Sequence, residues 1–426
     1  MRPCVLFISP VLPTQDGGGP GLRAWHIIQA LASVYDIMLL IGNGLYPCDA
    51  SVLEQANLPV VARLALPVGF LQRSVMCCHR IAADRLPLLL RRLLTAPYDC
   101  ISLNWRQRTV LWTFVGTRQI DLIQCFYLST LPMALTIEAM VPTARLQLDL
   151  ADIESGTRLR LAQLHAMRGE RRQASAWEME AARCEEMEQK HLSRLARVWV
   201  CSWTDRNKLQ NRYGLENVGV VPNTVAVSPT AGLSLLSGNE DFQLLFVGSL
   251  NYLPNLDAAQ WLSREIIPAI RARMQRPFKV VIVGRDVTGV LQQLVRDNPD
   301  IELPGFVPDL TDYYNRSSVV IVPLRAGGGT RIKIIEAFGL SRPVVATTIA
   351  VEGLEVKDGV HALIAEDAAG LADHCVYLLE NPQAAAVLVE NALDLYKRCY
   401  HPDVMAAAVL DNCLDTKAVN TAPGPG

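Results

Sequence analysis

The sequence lacks a charge imbalance, a metal-ligand spacing and any apolar run long enough to span a bilayer. Its 40 Lys and Arg against 42 Asp and Glu leave a formal net charge of −2, which excludes strong overall attraction to nucleic acid and leaves room only for local basic patches. Charged residues make up 19% of the chain and apolar ones 50%, a balance that excludes disorder and fits a compact α/β protein. The 11 cysteines are odd in number, so a closed set of internal disulfides is impossible. Cys77 and Cys78 are adjacent, but no Cys-x-x-Cys or Cys/His cluster has the spacing of a metal site. Buried, reduced thiols are expected.

The longest strongly apolar stretch without charge, Leu122 to Ile137, contains Pro132 and falls short of the roughly 18–20 residues of a spanning helix. Near the start, only Cys4 to Ile8 is continuously apolar, too short for a signal-peptide core and better read as a strand. Without a span, a signal or paired cysteines, the chain is expected in the cytoplasm.

A chain of 426 residues exceeds the roughly 250–300 at which a single core splits, so two domains are expected. Two segments start alike, with a strand-like run, a glycine-bearing loop and an amphipathic helix. They are Val5–Ser9, Gly17-Gly18-Gly19 and Leu22–Leu31, and then Leu244–Val247, Gly248 and Leu256–Ile270. Further strand-like runs fall at Ile37–Ile41, Leu122–Cys125, Leu146–Leu148, Val198–Cys201, Val280–Val283, Val319–Val322 and Val344–Ala346. Strands alternating with helices predict parallel sheets covered on both faces. Glu154 to Arg197, charged and almost free of Pro and Gly, reads as one or two helices with a solvated face. Thr224 to Asn239, rich in Ser, Gly, Pro and Thr, is the linker candidate. The expected domains are 1–224 and 225–395, with a helix at 396–415 returning to the first domain and a disordered tail at 416–426.

The segment richest in chemistry runs from Arg325 to Ala346, RAGGGTRIKIIEAFGLSRPVVA. It follows the strand Val319–Val322, so its glycines fall at a strand's carboxyl end and open a helix, the place where open α/β sheets bind ligands. Backbone N–H groups and a helix N-terminus there can hold a diphosphate, and Gly327, Gly328 and Gly329 allow close approach. A helix over about Thr330–Leu340 would put Arg331 and Lys333 in its first turn, against the macrodipole, a conflict that an anionic ligand removes. Glu336, one turn on, can accept paired hydrogen bonds from ribose hydroxyls.

This string, with Ser9–Leu31, the Pro222-Asn223 turn, Phe246-Val-Gly-Ser-Leu250, Val283-Gly284, Pro304-Gly-Phe-Val-Pro308 and Glu336–Ala346, resembles the glycosyltransferase group 1 family, the retaining enzymes called family 4. The resemblance implies the GT-B fold: two facing Rossmann-like domains with a cleft between them. It makes Glu336 the second Glu of the family's Glu-x7-Glu motif, gripping the ribose. Gly17, Gly18 and Gly19 become the loop that faces the donor's phosphates and sugar. Arg331 and Lys333 would neutralise the departing diphosphate, aided by Gly328, Gly329 and Thr330. Gly248, Gly284, Phe306 and Val307 would border the nucleotide. Two departures stand out: position 328, where the family has its first Glu, holds Gly328, and Gly248-Ser249-Leu250-Asn251-Tyr252 replaces a Gly-Arg-Leu with a following Lys. The first bears on the donor sugar, the second on the diphosphate, for which Arg331 and Lys333 are substitutes.

In the first half, Asp149, Asp152, Glu154 and Ser155 follow a strand; they either meet acceptor hydroxyls or cap a helix. Arg23 either meets phosphate or acceptor, or forms a surface salt bridge. His26 is a candidate catalytic group at a helix start, and Trp25, Trp203 and Trp261 read as core. Arg80–Leu94 reads as an interfacial helix or a buried one. The implied activity is transfer of a sugar from a nucleoside diphosphate sugar, a co-substrate, to an acceptor hydroxyl, with no metal and no bound cofactor. The expected acceptor is an exopolysaccharide or lipid-linked glycan, with peripheral contact at the inner membrane face. A nucleotide-sugar epimerase or phosphorylase, and a non-catalytic nucleotide-sugar or glycan-binding scaffold, are the alternatives on the same fold.

Overall fold

Strands that are apolar on both faces need cover on both faces, and the strands here have it. The computed structural model describes residues 2–15, 18–42, 53, 57–66, 105–227, 242–285, 295–296 and 298–414. Gly17, Cys77, Cys78, the Arg80–Leu94 segment, positions 228–239 of the expected linker and the tail lie outside them.

By their contacts the residues separate into two units. One comprises Met1–Arg158, Glu178–Val221 and the chain from Met405; the other comprises Leu159–Trp177 and Pro222–Val404. The expected boundary at 224 thus differs from the observed one in detail: Leu159–Trp177, read as part of the first domain, groups with the second unit. Arg168 accounts for part of this, since its guanidinium donates to Gln260 at 2.8 Å and lies 3.4 Å from Asp257.

In the first unit, β1 (Cys4–Ser9), α1 (Gly19–Ala32), β2 (Asp36–Ile41) and β3 (Ala62–Ala65) are followed by α2 (Trp105–Val115), β4 (Leu122–Phe126), α3 (Leu131–Glu138) and β5 (Arg145–Ala151). The charged stretch then folds as α4 (Glu154–Met167) and α5 (Arg171–His191), divided at Gly169, whose φ of 77° is the left-handed conformation that ends helices. The order β3-β2-β1-β4-β5-β6-β7 is completed by β6 (Arg197–Val200), α6 (Trp203–Tyr213) and β7 (Val218–Val220), with each neighbouring pair parallel. Alternate residues of β1 supply two cores: Cys4, Leu6 and Ile8 on one face, Val5 and Phe7 on the other.

The second unit repeats the scheme with β8 (Phe242–Val247), α7 (Leu253–Trp261), α8 (Ile267–Arg273), β9 (Phe278–Val283), β10 (Ile301–Gly305), α9 (Thr311–Arg316) and β11 (Val319–Val322). It continues through α10 (Ile332–Gly339), β12 (Val344–Ala346), α11 (Thr348–Val351), β13 (Leu363–Ile364), α12 (Ala368–Glu380) and α13 (Pro382–Leu395). Its parallel sheet has the order β10-β9-β8-β11-β12-β13. A last helix, α14 (Pro402–Leu414), places Met405, Val409 and Cys413, four residues apart, in the Val5/Phe7 core of the first unit.

Strand order reverses between β1 and β4 in one sheet and between β8 and β11 in the other. Such reversals open a crevice at the strands' carboxyl ends, because the connections on either side turn away from each other.

Candidate functional site

At the second reversal Gly248 follows β8, and Gly284 follows the neighbouring β9. The Gly248 N–H donates to Val283 O at 2.9 Å. A Cβ on Gly284 would lie 1.8 Å from Gly248 O, and one on Gly248 would lie 2.8 Å from Lys333 Nζ. Close approach of backbone therefore dictates Gly284, whereas a side chain at Gly248 would displace the side chains of Asn255 and Lys333. After β11, Arg325 is fixed by a bidentate pair with buried Asp257 at 2.9 and 2.8 Å, its guanidinium 5.0 Å from the Trp261 ring centroid. Next come Gly327 and Gly329 with φ of 128° and 63°, conformations that other residues rarely adopt. Thr330 accepts at Oγ1 from Asn223 Nδ2 at 2.8 Å.

The helix begins later than the sequence suggests. Arg331 is the N-cap of α10, not a first-turn residue, and carbonyl oxygens rather than a ligand offset its charge at the positive end of the helix. Its guanidinium turns back onto the loop, donating to Gly328 O and Gly329 O, and to Ile349 O at 3.2 Å. Lys333 is in the first turn, partly buried, with Nζ donating to Asn255 Oδ1 at 2.9 Å and lying 4.4 Å from the Phe246 ring centroid. Burial, helped by the Arg331 charge, lowers the Lys333 ammonium to about 7. Burial raises the Glu336 carboxyl to about 7, against the pull of a Tyr314 hydroxyl that donates to Oε2 at 2.8 Å. Two groups three residues apart on one helix face thus both change charge near neutrality. Phe306 is exposed, with the Arg285 guanidinium 4.9 Å from its ring centroid, and Val307 beside it is partly buried.

Comparison with known proteins fits this arrangement. Residues 241–381 match the family model described as Glycosyl transferases group 1. They form a glycosyltransferase group 1 domain. A Klebsiella pneumoniae protein described as an uncharacterized 44.6 kDa protein in the cps region is 26% identical over 164 residues, 37% of this chain and 42% of that relative. The match therefore spans less than half of that relative's length. Among solved structures, sucrose-phosphate synthase from Thermosynechococcus elongatus is similar with a TM-score of 0.67 at 15% identity, over 95% of this chain and 97% of that one. HepE of Anabaena in complex with UDP-glucose gives 0.61 at 16% identity, over 96% and 99%. A mutant of S. aureus TarM in complex with Fondaparinux, alpha-GlcNAc-glycerol and UDP gives 0.64 at 10% identity, over 96% and 99%. The shared fold is GT-B, with two Rossmann-like domains.

Within the group 1 domain the structure brings together Gly248, Gly284 and Lys333, and separately Gly327, Gly328, Gly329, Thr330 and Arg331. Sequence reasoning missed Asn255, which holds Lys333, and Tyr314, which holds Glu336. Neither carries a local signal.

Outside the glycosyltransferase group 1 domain, in the first unit, three readings need correction. Arg23 and Asp149 are neither acceptor contacts nor a surface salt bridge: they form a bidentate pair at 2.8 and 2.9 Å, 2% and 0% exposed. Arg23 also donates to Val221 O at 2.9 Å, and Asp149 Oδ1 accepts the Ala151 N–H at 3.0 Å, so the pair's polar atoms are consumed internally. Asp152 does not cap α4, which starts at Glu154; its Oδ2 accepts the Thr157 hydroxyl at 2.6 Å. Trp203 is exposed, beneath Arg206, whereas Trp261 is core. Gly18 is the exposed N-cap of α1 and Gly19 its first residue. Burial lowers His26 to about 4, so the ring is neutral near pH 7. Tyr127 and Ala151, at the carboxyl ends of β4 and β5, have φ of 68° and 58°, a strain that the sequence does not announce.

Among the described residues no group of three or more His, Cys, Asp or Glu could hold a metal ion, and no helix is long and apolar enough to cross a membrane. The described cysteines are free thiols, all buried except the partly exposed Cys399.

Proposed function

We propose that this chain transfers a sugar from a nucleoside diphosphate sugar to an acceptor hydroxyl, with retention at the anomeric carbon, at the site built on Gly327–Glu336. The observation that carries the reading is the glycine turn at the second sheet's reversal, with Lys333 and Glu336 following it on one helix face. Ionised Glu336 would accept hydrogen bonds from ribose hydroxyls, and the loop amides would take diphosphate oxygens. Lys333, protonated beside the diphosphate, would stabilise the charge that develops as it leaves. The bond from the anomeric carbon to the phosphate oxygen breaks while the acceptor oxygen bonds to the same face. The acceptor's proton passes to the departing phosphate, so no covalent enzyme intermediate is needed.

Similar structures were solved in complex with UDP-glucose and with UDP, which makes UDP-sugars the first donors to try. The cps-region relative supports an exopolysaccharide or lipid-linked acceptor, made in the cytoplasm at the membrane face. Exposed Trp105 and Trp112 on α2, beside exposed Arg106 and Arg108, favour peripheral contact with anionic lipid.

A thermal-shift screen against UDP, GDP, ADP and their sugars, with Glu336→Ala and Lys333→Ala in parallel, tests the site. Ligand at a hundredfold excess over Kd stabilises the native state by about 2.7 kcal/mol, and the variants should lose that response. No response to any nucleotide would defeat the reading. Gly328, where the family has a Glu, favours one rival, a nucleotide-sugar-binding scaffold without turnover. Binding without acceptor-dependent release of nucleoside diphosphate would establish it.

A further inference from the structure

Three successive loop carbonyls are engaged by two guanidinium groups. Arg331 takes Gly328 O and Gly329 O. The third, Gly327 O, accepts from Arg160 Nη1 at 2.8 Å. Arg160 lies on α4, 167 residues earlier in the chain but in the same unit as the loop. Its guanidinium is gripped by Glu352, at the end of α11: Nη2 donates to Oε1 at 2.7 Å and Nη1 to Oε2. Both side chains are about three-quarters buried, at 28% and 27% exposed.

In a trans peptide the carbonyl of one residue and the N–H of the next point in opposite directions. Fixing Gly327 O therefore aims the Gly328 N–H away from Arg160, and fixing the next two carbonyls does the same for the Gly329 and Thr330 N–H groups with respect to Arg331. Among the described residues none of these three N–H groups donates to a backbone carbonyl. Gly327 and Gly329 have positive φ and Gly328 does not, and turns of glycine-rich backbone can present successive amides to one anion. We infer that Arg160, held by Glu352, is a positioning residue that locks the glycine turn with its amides presented to the donor's diphosphate. The Glu352 carboxylate cancels the Arg160 charge, so the contribution is geometric, whereas Lys333 supplies charge.

This inference rests on the proposed donor site, and the test separates the two. Backbone amide order parameters of residues 327–330, from NMR relaxation of ligand-free wild type, Arg160→Ala, Arg160→Lys and Glu352→Gln, read the lock without any ligand. Steady-state kinetics with UDP-sugar and acceptor read its use. Loss of the charged hydrogen bond should lower the order parameters from about 0.85 toward about 0.6 and raise donor KM by about tenfold or more in Arg160→Ala. Acceptor KM should hold while the melting temperature falls, since Arg160→Ala takes the partner guanidinium from a three-quarters buried carboxylate, and the forked contact should be regained only in part by lysine. Glu352→Gln should shift order parameters and donor KM in the same direction, by less. Unchanged order parameters at the loop in Arg160→Ala would overturn the inference, as would donor and acceptor KM rising together. If wild type binds no nucleotide while the order parameters still respond, the lock stands and the donor site falls.

Discussion

Donor binding should weaken as pH rises above neutrality, and Lys333 sets how much. With its ammonium lowered to about 7 in the free protein, Lys333 is charged in about half the molecules at pH 7 and in about one in thirty at pH 8.5. A diphosphate charge about 4 Å from Nζ, at an effective dielectric of about 20, contributes roughly 4 kcal/mol to the protonated form. That interaction carries the bound-state pKa well past 8.5. Binding therefore selects the charged minority, and apparent Kd should rise about fifteenfold between pH 7 and 8.5. Glu336, raised to about 7, works the other way: its ionised fraction goes from half to nearly all, a gain of about twofold. The net loss is about eightfold. Titration calorimetry of a UDP-sugar at several pH values, in two buffers of different ionisation enthalpy, measures both Kd and the proton taken up. Lys333→Arg stays charged throughout and should show only the small gain from Glu336. A wild-type profile as flat as that of Lys333→Arg, with no proton uptake, would refute the assignment.

The same two groups are costs to the empty protein. A lysine lowered from 10.5 to about 7 destabilises the fold fully below pH 7 and progressively less from pH 7 to 10.5, whereas a carboxyl raised from 4.5 to about 7 destabilises it fully above pH 7 and not below 4.5. Lys333→Met and Glu336→Gln should therefore melt higher than wild type at pH 7.5, by on the order of 2 kcal/mol, while losing donor binding. Equal or lower melting with binding retained would count against the site. Gly284→Ala, whose Cβ would lie 1.8 Å from Gly248 O, should cost at least about 1–3 kcal/mol by denaturant titration; Gly328→Ala, at a position without positive φ, should cost under about 1 kcal/mol. Asp149→Ala, which strands buried Arg23, should lose about 3–5 kcal/mol of stability and leave nucleotide Kd unchanged where the fold persists.

How much was legible in the sequence follows from how locally each feature is encoded. The interior strands β1, β8, β9 and β11 announce themselves because burial on both faces demands apolar runs, and β4 does so around one buried polar residue, Gln124. The strands absent from the sequence reading, β3, β7, β10 and β13, are the edges of the two sheets. An edge strand meets fewer neighbours and tolerates polar residues or Pro, as in Ile301-Glu-Leu-Pro-Gly305. The glycine string was legible because tight turns restrict composition over consecutive residues. The start of α10 was not, since Arg331 is a good helix former that here satisfies loop carbonyls. Asn255, Tyr314, Arg160 and Glu352 act through space, and an ordinary Asn or Arg in a helix carries no mark of a partner tens of residues away.

The two reversals in strand order share a topology and differ in how their charges are disposed. At the first, Arg23 and Asp149 neutralise each other within the protein, and Glu154 is held by Arg158 at 2.6 Å and by the Leu128 N–H at 2.7 Å. A carboxylate so occupied has little capacity left for a substrate hydroxyl. At the second, Lys333 and Glu336 are held away from their ordinary ionisation with neutral partners, Asn255 and Tyr314, in direct contact. Neutral partners fix geometry without cancelling charge, so the electrostatic cost persists until an anion and a set of hydroxyls arrive together. A nucleoside diphosphate carries both on one molecule, diphosphate beside ribose. That pairing supports the proposed donor site at the second reversal, and the internal neutralisation of Arg23 and Asp149 speaks against the two as acceptor contacts.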